Sequence, residues 1–215
     1  MTPTGATLAV NFLDAQSLIT AFGTIGILAI VFAETGLLLG FFLPGDSLLF
    51  IAGYAAAGGI PGVQLSLPVL LIGLPIAAIV GAQTGYYIGR KGGPLLFDRK
   101  ESRLFKRAHV QKAEDLLERF GPGKAVVMAR FVPIARTFMN PVAGVTEMPV
   151  KDFTTWNMVG GLLWTVGLTM LGYALGGVEF IAGHIESIVL LVIGISLLPL
   201  VVEILRERSR SKAQA

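Results

Sequence analysis

"RFVPIARTFMNPVAGV", residues 130–145, places two arginines and two prolines in a run that otherwise has the composition of a membrane interior. Working outward, the stretch is flanked by Lys124 and Lys151. It is too short and too broken by Pro133 and Pro141 to be two ordinary spans. A chain that sets Arg130 and Arg136 beside helix breakers in so apolar a setting needs a reason for both features, and composition narrows that reason first. Of 215 residues 53% are hydrophobic and only 14% charged, with 27 glycines, and the mean hydropathy is +0.73. A water-soluble core of this length does not need that balance, and an all-α polytopic membrane protein forming a single membrane domain is expected. The absence of cysteine excludes a disulfide framework, a thiolate metal site, an iron–sulfur cluster and covalently attached c-type haem.

All 17 Lys and Arg fall within residues 90–151 or 206–212. The positive-inside rule puts both clusters on the cytoplasmic face. Residues 17–43 read as a transmembrane helix leaving the cytoplasm, with Glu34 as its only charge. They do not read as a cleaved signal peptide, because no basic n-region precedes them and no small-residue cleavage site follows a short apolar run. Residues 44–59, opening on Pro44-Gly45 and closing on Gly-Gly, are about half a span long and fit a re-entrant hairpin. Residues 68–89 return to Arg90-Lys91. Residues 101–120 have Leu104, Ala108, Leu116, Leu117 and Phe120 at roughly helical spacing between basic residues, as in an interfacial helix on anionic lipid or a solvated cytoplasmic hairpin. A second re-entrant hairpin over 124–147 enters from inside, 153–178 cross outward, and 187–205 return to a basic tail. Both termini are then cytoplasmic.

The two broken elements repeat one another. "LPGDSLLFIAGY" corresponds to "VPIARTFMNPVAGV", and the following spans close with "TGYYIGRKGG" and "LGYALGGV". An odd number of crossings separates the hairpins, so they enter from opposite faces as an inverted pair. Broken half-helices of this kind meet near the midplane of secondary transporters and aim their N-termini at an anionic group.

Four charges near a bilayer centre, at about 2.5–3.5 kcal/mol each, total on the order of 10 kcal/mol unless they are paired or hydrated. Glu34 and Asp46 can neutralise Arg130 and Arg136 at rest, and a lipid phosphate can then displace a carboxylate. Arginine suits phosphate because its planar fork grips two oxygens. The carboxylates can load and release a proton as they face outside and inside in turn. Alternatives stay open. Asp46 after Pro-Gly is also a good N-cap, Arg130 can snorkel from a helix end, and Asn157 and Gln83 can act as hydrogen-bonding glue. Gly36-xxx-Gly40, Gly81-xxx-Gly85-xxx-Gly89 and Gly172-xxx-Gly176 favour packing. Trp156, Tyr86 and Tyr87 read as interfacial anchors, while Trp164 can line a cavity.

"FAETGLLLGFFLPGDSLLFIAG", "RFVPIARTFMNPVAGVTEM" and "FTTWNMVGGLLW" together resemble the DedA family, related to the SNARE-associated or VTT-domain proteins, over roughly residues 30–175. The resemblance implies lipid translocation: recycling of undecaprenyl phosphate or movement of a phospholipid across the bacterial cytoplasmic membrane, often linked to the proton-motive force. It implies that Glu34 and Asp46 are the embedded acids, Arg130 and Arg136 the arginine pair, Pro133, Pro141 and Gly144 the re-entrant signature, and Asn157 and Trp164 the polar and aromatic positions of the next span.

His109 and His184 have no partner at a metal-ligand spacing, so no metal or other cofactor is expected. No Walker A loop, HExxH, GxSxG or GxGxxG motif appears, and an intramembrane phosphatase would need a better placed histidine. A non-enzymatic flippase or scramblase is therefore expected, with a proton-coupled exporter of small cations or drugs as the alternative. Its partners are the lipid phosphate, protons and anionic lipids, not nucleic acid, and a homo-oligomer is compatible with the sequence.

Overall fold

The structure, a computed structural model, describes residues 15–37, 45–97, 117 and 120–176. Their helices are α1 (Ala15–Gly36), α2 (Gly45–Ala56), α3 (Leu67–Phe97), α4 (Pro122–Ala129), α5 (Pro133–Val145) and α6 (Val150–Leu175); Leu117 and Phe120 are also helical, and there is no strand among the described residues. The span expected over 187–205, most of the interfacial segment 101–120, both histidines and Pro44 lie outside these residues.

The long helices show why this sequence suits a bilayer. On α3, Leu70, Leu74, Ala78, Ala82 and Tyr86 recur every four residues and are buried, whereas Ile72, Ile76 and Val80 recur at the same spacing and are exposed. A helix apolar on its outward face as well as its inward one is solvated by lipid, not water. On α6 the same division sets buried Phe153, Asn157, Trp164 and Gly172 against exposed Leu162, Leu163 and Leu171. The apolar spans Leu67–Gly92 and Val150–Leu175 each hold 26 residues. At ~1.5 Å per residue they exceed the ~30 Å hydrocarbon core.

The first expected span is shorter than its hydropathy suggests. The helix α1 ends at Gly36, its apolar part is Phe22–Gly36, and it leaves helical geometry near the start of that part, at Gly23 (φ 57, ψ −153). A positive φ is open to glycine without a Cβ clash, which locates the kink. Helix α2 is opposite in character to the lipid-facing helices: from Ser47 to Ala55 every residue is buried. It runs inside the protein.

Proline chemistry shapes the central stretch. Pro122 and Pro133 open α4 and α5, a position where the missing N–H is not needed. The residue before Pro133 is forced extended, Val132 having φ −115 and ψ 111, so the chain turns over Arg130–Val132. Pro141 does not act as a breaker. Helix α5 continues through it to Val145.

The short helices pack crosswise: α2 lies against α6, and α5 against α3, which also packs on α1 and α6. Both crossings have the same contact pattern. A Cβ at Gly53 would fall on the Thr169 carbonyl oxygen, and one at Gly172 on that of Phe50. A Cβ at Gly144 would fall on the Tyr86 carbonyl oxygen, and one at Gly89 on that of Pro141. On all four helices the glycine follows the contacting carbonyl by three residues. The packing role expected of Gly89 and Gly172 is thereby met, and Gly53 and Gly144 share it.

Two apolar clusters result, one around Val31, Leu48, Phe50, Leu74 and Trp164, the other around Tyr86, Phe138, Met139, Val142 and Phe153. Tyr86 corrects the sequence reading. It is fully buried instead of anchoring at an interface, stacks on Phe153 at 4.5 Å and donates its hydroxyl to the Met148 carbonyl.

Candidate functional site

The site is built around one guanidinium. Arg136 lies one turn into α5, beside Ala135 of the second cluster, and Trp164 of the first cluster faces it from α6. Its Nη2 is 2.7 Å from Glu34 Oε1 on α1, and its Nη1 donates to Asp46 Oδ1 on α2 at 2.8 Å. Its Nε is buried and has no hydrogen-bond partner among the described residues. The carbon between the three nitrogens stands 5.3 Å over the Trp164 ring, within cation–π reach. Trp164 Nε1 donates to the same Asp46 Oδ1 at 2.7 Å. Side chains from α1, α2, α5 and α6 thus close on a single charge.

Local sequence explains why the acids reach it. Glu34 is buried in the last turn of α1, and a Cβ at Gly45 would coincide with its carboxylate. Gly45 is therefore needed for close approach. Asp46, next in sequence, lies in the first turn of α2, where its charge also suits the positive end of the helix. Its carboxylate is taken up by Arg136 and Trp164.

Arg130 has a different neighbourhood. It is 5% exposed, caps the end of α4 and donates through Nη2 to Asn157 Oδ1 on α6. The expectation that Glu34 and Asp46 share both arginines is corrected here: both acids go to Arg136, and no acid among the described residues is ion-paired with Arg130. Nor does Arg130 snorkel outward. A guanidinium near a helix end follows the strongest available acceptor, and Asn157 offers a buried one. Asn157 in turn donates Nδ2 to the Ile79 carbonyl of α3 at 3.0 Å, and Gln83 accepts from Thr154 at 3.1 Å, so both amides do tie helices together.

Four expected residues thus come together, Glu34, Asp46 and Arg136 directly and Trp164 on the latter two, while Arg130 and Asn157 form a separate pair. Gly45 and Gly144 contribute close approach, Pro133 starts α5 and Pro141 lies within it. One participant went unread in the sequence. Asn140, buried one helical turn after Arg136, donates Nδ2 to the Thr35 carbonyl at 2.9 Å, next to Glu34. The signal was an amide inside an apolar run, in "FMNPV".

Apolar helices facing lipid around a buried ion-pair centre define an all-helical membrane protein. Residues 43–174 match the VTT domain model. The chain is 40% identical over 186 residues to protein DedA of Escherichia coli, covering 86% of this chain and 83% of that protein. It is 43% identical over 181 residues to an uncharacterized membrane protein of Mycobacterium tuberculosis, covering 84% and 78%, and 40% identical over 172 residues to one of Mycobacterium leprae, covering 80% and 75%. No solved structure matches it. The chain belongs to the DedA family of membrane proteins.

Proposed function

We propose that this protein moves a phosphate-bearing lipid, undecaprenyl phosphate or a phospholipid, across the bacterial cytoplasmic membrane as a flippase or scramblase linked to proton movement. The observation that carries this reading is the buried Arg136 held by Glu34 and Asp46 from two different elements. A cation gripped by two exchangeable anions can trade one of them for another anion, and a phosphate is the lipid group that matches its fork. The unpartnered Nε of Arg136 supplies a further donor. Protonation of Glu34 or Asp46 weakens the grip and frees the guanidinium. The step makes and breaks no covalent bond in the lipid, so the protein acts as a carrier and not as an enzyme.

The reading includes two re-entrant elements of opposite orientation, α2 with the segment after it and the pair α4–α5. Their support is length and packing. At 12 and 13 residues, α2 and α5 fall well short of a span, and their matching glycine crossings on α6 and α3 suit an inverted repeat. By contact, Gly172 corresponds to Gly89, one turn beyond the sequence match of "TGYYIGRKGG" with "LGYALGGV". Both termini and the basic segment 101–120 then face the cytoplasm, the latter on anionic lipid.

Reconstitution of the full chain in liposomes tests the reading, following labelled polyprenyl phosphate, phospholipid and a small cation separately. Movement of a phosphate lipid, lost in Glu34→Gln and Asp46→Asn, is expected. Movement of the cation alone replaces this reading with the exporter.

A further inference from the structure

The two buried arginines are not equivalent. Both terminal nitrogens of Arg136 are engaged by carboxylates, and its charge is already matched. Arg130 is as deeply buried, yet its partner among the described residues is the neutral oxygen of Asn157. A guanidinium kept from water with only an amide dipole opposite leaves a positive charge that an incoming anion would stabilise.

The neighbouring backbone holds it closely. The stem of Arg130 runs along the bare backbone of Gly160 and Gly161 on α6, where a Cβ at Gly160 would come within 3.0 Å of Arg130 Cδ and 3.2 Å of its Nε. Three residues on, α5 begins at Pro133 with no side chain capping its N-terminus, so the positive end of that helix faces the same turn. Asn157 fixes the direction of Arg130. Because its Nδ2 is committed to the Ile79 carbonyl at 3.0 Å, its amide cannot flip, and its oxygen must face the guanidinium.

The geometry points to Arg130, oriented by Asn157, as an anion subsite that takes the phosphate while Arg136 is still held by its acids. This rests on the lipid-phosphate reading above, and adds where the headgroup docks first and which residue sets its affinity. Arg130 contacts the ligand. Asn157 is a positioning residue, and Arg136 joins only when Glu34 or Asp46 lets go.

The test uses the full chain in liposomes with a labelled short-chain polyprenyl monophosphate, phosphatidylglycerol and phosphatidylcholine, reading KM and Vmax. Asn157→Asp is nearly isosteric and puts a carboxylate against Arg130, so it occupies the subsite from within. Its KM for the two anionic lipids should rise about tenfold, the equivalent of one charge-assisted hydrogen bond, with little change in Vmax. Arg130→Lys, which keeps the charge but loses the fork, should do the same, and carries the test if Asn157→Asp fails to fold. Glu34→Gln should instead lower Vmax. A KM unchanged in both Asn157→Asp and Arg130→Lys overturns the proposal.

A second measurement separates it from the transport reading. In detergent, the short-chain monophosphate should raise the unfolding temperature of the wild type by more than that of Arg130→Lys at the same concentration. If that holds while wild-type vesicles move no lipid, the subsite stands and the transport reading falls. No stabilisation of the wild type overturns the subsite.

Discussion

Exchanging Arg136 for methionine removes its charge while keeping an unbranched stem of similar length, and the consequences for its two partners differ. Glu34 has no exposed side-chain surface, whereas Asp46 retains 18% exposure and the Trp164 N–H at 2.7 Å. Removing one member of a buried pair typically destabilises by about 3–5 kcal/mol, because the survivor is left charged without a partner. Most of that loss should fall on Glu34. A double-mutant cycle of Arg136→Met with Glu34→Gln should give a coupling of about 2–3 kcal/mol, and the cycle with Asp46→Asn about 1 kcal/mol or less. Arg136→Met should accordingly be rescued in part by Glu34→Gln. Equilibrium unfolding of all variants in mixed micelles reads these values directly. Additivity within about 0.5 kcal/mol for the Glu34 cycle refutes the reasoning, since it would mean that burial of the acid does not depend on the arginine.

Three further outcomes follow from packing and hydrogen bonds. Gly144→Ala drives a methyl into the Tyr86 carbonyl and should destabilise by about 1–3 kcal/mol in the same unfolding assay, whereas Gly167→Ala, which meets nothing within 4 Å, should be neutral or slightly stabilising. Trp164→Phe keeps an aromatic ring over Arg136 but deletes the N–H to Asp46, and a loss of about 1–2 kcal/mol is expected in unfolding measurements. Tyr86→Phe leaves the Met148 carbonyl without its hydroxyl donor and should lower stability by about 1–3 kcal/mol, with the α3–α5 side of the protein exchanging amide hydrogens faster.

The sequence made the helical class and the members of the site readable because the cost of charge in an apolar run is large and local. Glu34, Asp46, Arg130 and Arg136 stood out for that reason alone, and the structure gathers three of them into one cluster. Pairing was not readable. Whether Arg130 or Arg136 takes both acids depends on a few ångströms set by the turn at Arg130–Val132, and one-dimensional spacing does not carry that distance. Tyr86 misled because an aromatic at the end of an apolar span has the same composition whether its hydroxyl reaches a headgroup or a buried carbonyl. Pro141 misled similarly: proline disfavours a helix interior by about 3 kcal/mol, but α5 runs through it against α3, at Gly89.

The position of the ion pairs follows from the crosswise packing. Helix α2 is held by α6, and α5 by α3, through bare backbone contacts at one end of each short helix. Toward the other end, Asp46 and Arg136 lie in the first turns of α2 and α5, where the contacts are made with charged side chains. Backbone contacts between glycines are fixed by shape and do not respond to ligands, whereas an ion pair can be opened by a proton or a competing anion. Each short helix is therefore fixed at its C-terminal part and releasable at its N-terminal part. On the proton-linked carrier reading proposed above, substitutions at Gly53 or Gly144 should lower stability without altering the proton dependence of transport, whereas those at Glu34 or Asp46 should alter that dependence first.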